Sequence, residues 1–388
     1  APVVSGTRGR GGWVRIAIDV RKLHDFGIGT YVRNLLKYLA LLDQDTEYFP
    51  LCRPQDAEAL AALGPNFKPV PVASKPYSVS EQIVLPARLV PRRVDLLHEP
   101  HYVLPPLVPC RAVVTVHDCI HLMFPQYLPN RMAYAYARGS LWAATRRAER
   151  IFTVSETSKA DILRYCDVPA DRIVVVYNAI DDRFSVAPSD EAIRRARERY
   201  QLDGPFALYV GNIKPHKNIE RLIDAFALVR RDGFERIELL IIGDRISKFP
   251  RLRRAVDRHK LHKHVRFLGF VPDDTLAALY RLATLFVFPS LYEGFGLPPL
   301  EAMASGTPVV TSNRSSLPEV VGDAAVLVDP YSAPSIAEGI RRVLADASLR
   351  RALSERGLAR ARQFSWEASV RRVHDVYMDV ASGRPPAS

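Results

Sequence analysis

Short apolar, β-branched runs alternate along the chain with longer stretches whose apolar positions recur at helical spacing. The runs at 14–20 (VRIAIDV), 48–52, 94–98, 112–117, 151–154 and 172–177 read as buried strands. Between them the periodicity predicts a helix through Val32, Leu35, Leu36 and Leu39, and further helices over 80–89, 130–148 and 155–165. The polar, turn-rich segment 180–190 (IDDRFSVAPSD) interrupts this alternation and reads as a linker. A second alternation starts at 206–210 (FALYV), followed by the glycine loop GNIKPHKN. Ile219, Leu222, Ile223, Phe226 and Val229 then share one face of a helix, with Asn218 as its expected N-cap. Strands follow at 237–242, 265–267, 285–288, 309–311 and 325–328. The pattern predicts an α/β protein with two parallel sheets, each covered by helices. Its expected divisions are 1–183, 184–365 and a C-terminal segment 366–388 whose helix runs over 366–380.

A length of 388 residues suits two domains, and 48% hydrophobic with 25% charged residues fits a water-soluble chain. No apolar run approaches the ~18 residues of a membrane span. Residues 1–13 lack the apolar core of a secretory signal and read as a flexible leader. Cys52, Cys110, Cys119 and Cys166 show neither CxxC nor zinc-ligand spacing. Free thiols in a reducing cytoplasm are therefore expected. The net charge of +12 is concentrated at 88–93, 245–263 and 350–372. A solvated arginine-rich surface, an anionic membrane or an anionic acceptor would each account for it. No helix–turn–helix, zinc-finger or RNP signature supports a nucleic-acid partner.

The candidate chemistry lies where strands feed helices. If the second sheet is parallel, the loops at 211–218, Gly243-Asp244 and 293–301 emerge along one edge. Lys217 stands beside a helix start, where cationic charge and free N–H groups suit a diphosphate. Lys214 reads as an ordinary surface lysine. Glu293 and Glu301 bracket a glycine loop and a Pro298-Pro299 pair, with Pro298 placed to open a helix and Gly306 to close it. Ionised carboxylates accept hydrogen bonds from vicinal hydroxyls, so Glu301 could hold a ribose and Glu293 a hexose. Taken singly, they could equally be a helix-dipole residue and a solvated loop charge. In the first half, Gly27 and Gly29 would let a ligand approach the backbone, or make a plain tight turn.

The full string EGFGLPPLEAMASGTPVV resembles the donor-site signature, with its E-x7-E spacing, of family-4, GT-B retaining glycosyltransferases. Val210-Gly211 with Lys217-Asn218-Ile219 resembles their phosphate loop. The segments FTVS at 152–155, YNAID at 177–181 and FSW at 364–366 resemble further family motifs. The resemblance implies two Rossmann-like domains facing across a cleft, an N-terminal acceptor domain, a C-terminal donor domain, and a last helix returning to the first domain. It implies that Glu293 contacts the donor sugar, Glu301 the ribose and Lys217 the diphosphate. His117 would line the sugar site, and Gly27 and Gly29 would lie beneath the donor phosphates. Gly211, Asn212, Gly294, Phe295, Gly296 and Leu297 complete the donor set. Asn212 departs from the arginine of many relatives; Lys214 or His216 is the candidate substitute. The implied reaction retains anomeric configuration, needs no metal or cofactor, and uses a GDP- or UDP-linked sugar as co-substrate. The acceptor would be a glycan or a lipid-linked sugar in bacterial polysaccharide assembly, and the loops lean towards mannosyl or rhamnosyl transfer. The apolar-basic segment 75–93 is the sequence candidate for peripheral contact with an anionic membrane. A catalytically inactive GT-B module that only binds a nucleotide-sugar is the competing reading. The pattern leaves oligomeric state open.

Overall fold

Strand β1 (Arg15–Asp19) is central to the first sheet, with Ile16, Ala17 and Ile18 fully buried. The computed structural model describes residues 13–25, 27–74, 81–243 and 249–383. The chain forms two compact units, residues 1–178 with 366–388, and residues 179–365.

In the first unit β2 (Glu47–Cys52), β3 (Val70–Pro71), β4 (Leu96–Glu99), β5 (Arg111–Val116), β6 (Arg150–Thr153) and β7 (Ile173–Val175) join β1. The sheet order is β3-β2-β1-β4-β5-β6-β7, and every pairing is parallel. Sequence pattern does not register β3, because two residues, one of them a proline, carry no periodicity. The C-terminal helix Trp366–Ser382 belongs to this unit and buries Trp366, Val370, Val373, Tyr377 and Val380 along one stripe. Tyr377 O–H meets His98 Nδ1, and His98 Nε2 lies 2.7 Å from Thr115 Oγ1. Burial takes the His98 imidazole down to about 3, so it remains neutral at physiological pH.

The second unit holds β8 (Phe206–Val210), β9 (Glu238–Ile242), β10 (Val265–Gly269), β11 (Leu285–Phe288), β12 (Val309–Ser312) and β13 (Ala325–Val328). Their order, β10-β9-β8-β11-β12-β13, is again wholly parallel. Segment 180–190 is more than a linker. Its short helix Asp182–Ser185 buries Phe184 edge-on to Tyr280 at 5.6 Å, while Arg183 bridges Asp181 and Asp273. These contacts explain why the second unit begins at Ala179.

Each sheet winds outward in both directions from an internal strand. The switch points fall between β1 and β4 and between β8 and β11, where diverging loops leave room for a ligand. The first is floored by buried charge. Arg21 Nε lies 2.9 Å from Asp19 Oδ1, and Arg21 Nη2 lies 2.9 Å from Glu81 Oε1. Burial alone would raise the Asp19 pKa, but hydrogen bonds from Arg21 and His101 outweigh it and hold the carboxyl well below the usual range. Glu99, fully buried next to the Asp19 charge, is pushed well above the usual range and keeps its proton. Removing the guanidinium would leave buried carboxylates without a counter-charge. Arg21→Met should therefore cost about 3–5 kcal/mol of stability, measured by urea unfolding of the whole chain; an unchanged midpoint would contradict this role.

Candidate active site

At the second switch point the loop after β8 and the loop after β11 are bonded to each other. Residues Pro215–Lys217 make one tight 3-10 turn. Asn218 follows in the left-handed region (φ 63°), a conformation asparagine tolerates. It stands at the start of helix Ile219–Arg231, as expected, but its side chain does not cap that helix. Side-chain capping goes with an extended backbone, and the left-handed turn aims the amide elsewhere. Its Nδ2 donates to Pro289 O at 2.9 Å and Pro330 O at 2.7 Å, while Oδ1 accepts from Arg221 Nη1 at 2.7 Å. Leu291 N–H donates to His216 O at 2.8 Å, closing the junction. Gly243 in the third loop accommodates Gly211 O; an added Cβ would stand 2.4 Å from it. Asp244 lies outside the described residues.

This junction brings Lys217 and Glu293 together. Lys217 Nζ lies 2.6 and 2.8 Å from the two Glu293 carboxylate oxygens, and 5.4 Å above the Phe288 ring. Glu293 is thus no solvated loop charge: its side chain is 12% exposed and that of Lys217 is 14% exposed. The Glu293 backbone is fixed as well. Its N–H donates to Ser315 Oγ at 3.0 Å, and its carbonyl receives the Ser315 and Ser316 hydroxyls at 2.5 and 2.9 Å.

Gly294, Phe295, Gly296 and Leu297 carry the chain from Glu293 into helix Leu297–Ala304. Gly296 adopts φ 114° at the helix start, with Pro298 in the first turn, and Gly306 (φ 75°) ends it. Phe295 is buried edge-on to Phe364 at 5.6 Å and anchors the turn. Glu301 lies one turn further along. Tyr280 O–H donates to its Oε2 at 2.9 Å, and burial pushes the carboxyl up to about 7. Asn212 is half-buried beside Gly211. Of its candidate substitutes, Lys214 is exposed, while the His216 side chain is buried.

In the first unit His117 directly follows β5. Its Nε2 lies 3.1 Å from the Pro100 carbonyl, an acceptor only, so Nε2 carries the hydrogen and Nδ1 the lone pair. Burial lowers it to about 4, so the ring is neutral at physiological pH. Tyr31 packs edge-on against it at 5.1 Å. Tyr31 belongs to helix Ile28–Leu42, which Gly27 opens at φ 72°. A Cβ on Gly29 would come within 2.5 Å of Leu23 O, so this glycine serves a close approach of the chain to itself.

Residues 190–360 match the profile of glycosyl transferases group 1, and residues 27–184 that of Glycosyltransferase Family 4. The O-antigen chain mannosyltransferase B of Escherichia coli is 40% identical over 283 residues, covering 73% of this chain and 74% of that protein. The chain is a family 4, group 1 glycosyltransferase. The serotype-specific mannosyltransferase WbdA of Escherichia coli is 35% identical over 67% of this chain, which spans only 32% of WbdA. Sucrose-phosphate synthase from Thermosynechococcus elongatus superposes with a TM-score of 0.78 at 23% identity, over 95% of this chain and all of that one. WaaG, a glycosyltransferase involved in lipopolysaccharide biosynthesis, gives 0.74 at 17%, over 94% and 99%. These likenesses show that the glycosyltransferase has the GT-B fold.

Several residues that build the glycosyltransferase site are absent from the sequence reading: Tyr280 behind Glu301, the Asn218 side chain as a clamp, and Ser315 with Ser316. The serines had a signal. The run SNRSSLPE leaves the end of β12, at the same sheet edge as the loops after β8 and β11. Short hydroxyl side chains there suit bonds to a neighbouring loop's backbone. Tyr280 had none, since it lies mid-helix in an apolar pattern.

Asn218→Ala leaves the Pro289 carbonyl without this donor and Pro330 O with the longer Arg221 bond alone, and should destabilise the protein by about 1–3 kcal/mol in urea unfolding. Glu301 holds a proton in the folded state that the unfolded chain releases from pH about 4.5, its ordinary value, to about 7. Ionising it therefore costs stability as pH rises through that window. Relative to Glu301→Gln, the wild type should lose stability between these limits; parallel pH profiles of melting temperature would refute the buried-acid assignment.

Proposed function

We propose that the protein transfers a mannosyl residue from a nucleotide-mannose, GDP-linked in the first instance, to a glycan or lipid-linked acceptor, with retention of anomeric configuration. The carrying observation is the Lys217–Glu293 pair at the second switch point, with Glu301 one turn away on the adjoining helix. The mannosyltransferase relatives support the sugar assignment. Lys217 and Glu293 satisfy each other until a donor enters. Opening the pair costs free energy, and each partner then gains a better one. The diphosphate takes the ammonium, and the sugar hydroxyls donate to the carboxylate. Glu301, ionised, accepts from the ribose diol.

In the reaction the bond from sugar C1 to the diphosphate oxygen breaks, and the acceptor oxygen bonds to C1 on the same face. The acceptor proton passes to the departing phosphate oxygen. Lys217 neutralises charge growing on that oxygen, the role a metal fills elsewhere. His117, neutral with its Nδ1 lone pair directed away from the Pro100 bond, serves as an acceptor for a hydroxyl rather than as an acid.

Lys217→Ala should lower turnover about a hundredfold or more, since one preorganised charge supplies several kcal/mol; steady-state transfer assays read this, and a near-normal rate would remove Lys217 from the site. Among GDP-mannose, dTDP-rhamnose, UDP-glucose and ADP-glucose, GDP-mannose should raise the melting temperature most. Donor binding without transfer or donor hydrolysis would instead favour an inactive binding module.

A further inference from the structure

Helix Arg131–Arg147 buries Ala137, Leu141, Ala144 and Thr145 against the first unit and turns its opposite face outward. That face carries Met132 (82% exposed), Tyr136 (49%) and Trp142 (53%). The positions between them, 135, 139 and 143, are alanine, glycine and alanine, and all are exposed. Positions 132, 135, 136, 139, 142 and 143 form one continuous stripe on a 3.6-residue helix. Arginines edge it, Arg131 and Arg138 on one side and Arg147 on the other, and the helix contains no acidic residue. Arg146 stacks over the Trp142 ring at 5.0 Å and pairs with Asp167 at 3.0 Å. Arg131 and Arg138 have no ion-pair partner among the described residues.

An apolar stripe with a tryptophan and a tyrosine, flanked on its own helix by arginines and no carboxylate, is unfavourable in water and matched to a particular surface. We propose that this face docks on an anionic lipid bilayer. Met132, Tyr136 and Trp142 enter the headgroup–acyl boundary, and Arg131 and Arg138 lie against lipid phosphates. Tyrosine and tryptophan are the side chains that favour that depth, with an apolar body and a polar tip. The excess of +12 charges over the whole chain draws it to the same surface. A second copy of the chain is the poorer occupant, because pairing this face with itself brings arginines together with no carboxylate on either helix. A polysaccharide is also poorer, because the stripe lies on a convex helix with methionine and alanine between its aromatics, offering no groove for hydroxyls. The surface differs from the segment 75–93 singled out in the sequence. Residues 75–80 lie outside the described set, and helix Glu81–Leu89 exposes Ile83 but has no aromatic residue.

The test uses the whole protein and none of the donor-site residues. It is sedimented with vesicles of phosphatidylcholine alone, or containing about one-third phosphatidylglycerol, at low and high salt. The expected result is binding to the anionic vesicles only, weakened by salt. Trp142→Ser with Met132→Ser should reduce the bound fraction about tenfold, and Arg131→Glu with Arg138→Glu should abolish binding, with melting temperatures unchanged because all four side chains are exposed. Absence of binding to anionic vesicles, or equal binding by the Trp142→Ser, Met132→Ser protein, would overturn the proposal. So would a wild-type dimer that the same variants dissolve.

Discussion

The second unit of this glycosyltransferase depends on one asparagine in a left-handed turn. Asn218 ends the loop after β8, and its amide reaches the Pro289 and Pro330 carbonyls at 2.9 and 2.7 Å. It ties the loop after β8 to the loops after β11 and β13. Beside this clamp, the loops after β8 and β11 share the bonds that Leu291 N–H and Ser290 Oγ donate to His216 O. The Lys217–Glu293 geometry follows from this clamp, because Lys217 precedes Asn218 and Glu293 follows Leu291 by two positions. Ser315 and Ser316 fix the other side by holding the Glu293 backbone. The charged groups are thus placed by neutral polar bonds, which are unaffected when a ligand changes the local charge.

The site divides its electrostatics between two carboxylates in different surroundings. Glu293 faces the Lys217 ammonium 2.6 Å away. Glu301 accepts from the Tyr280 hydroxyl, and burial brings it up to about 7, so it is divided between acid and anion at neutral pH. A group so poised gains from a diol that donates hydrogen bonds to its ionised form. The two glutamates have different neighbours, the Lys217 ammonium and the Tyr280 hydroxyl.

The doubled parallel α/β architecture, the edge carrying the loops and the charged residues on them were legible in the sequence. Buried β-branched strands and amphipathic helices are repetitive patterns, and a parallel sheet aligns all strand ends on one side. Three things were not legible. The Asn218 side chain could not be aimed from sequence, because its direction depends on a φ of 63° that the residue merely permits. The partner of Glu293 is set by loop-to-loop bonding between residues 76 positions apart. The buried Asp19–Arg21–Glu81–Glu99 group is assembled from β1, β4 and a helix. In sequence each member looks like an ordinary surface charge, and only the fold shows Arg21 bonded to Asp19 and Glu81 while burial keeps the proton on Glu99. The polar composition of segment 180–190 likewise hides its buried anchor Phe184.

The central claim is that Lys217 and Glu293 pair until the donor separates them, the cation to the diphosphate and the carboxylate to the sugar. Calorimetric titration of Glu293→Gln with GDP and with GDP-mannose tests it most directly. Releasing Lys217 from its carboxylate should strengthen binding of GDP, while loss of the hydroxyl acceptor should weaken binding of GDP-mannose relative to GDP. Equal losses of affinity for both ligands would show that Glu293 supports the site only structurally, and would contradict the claim.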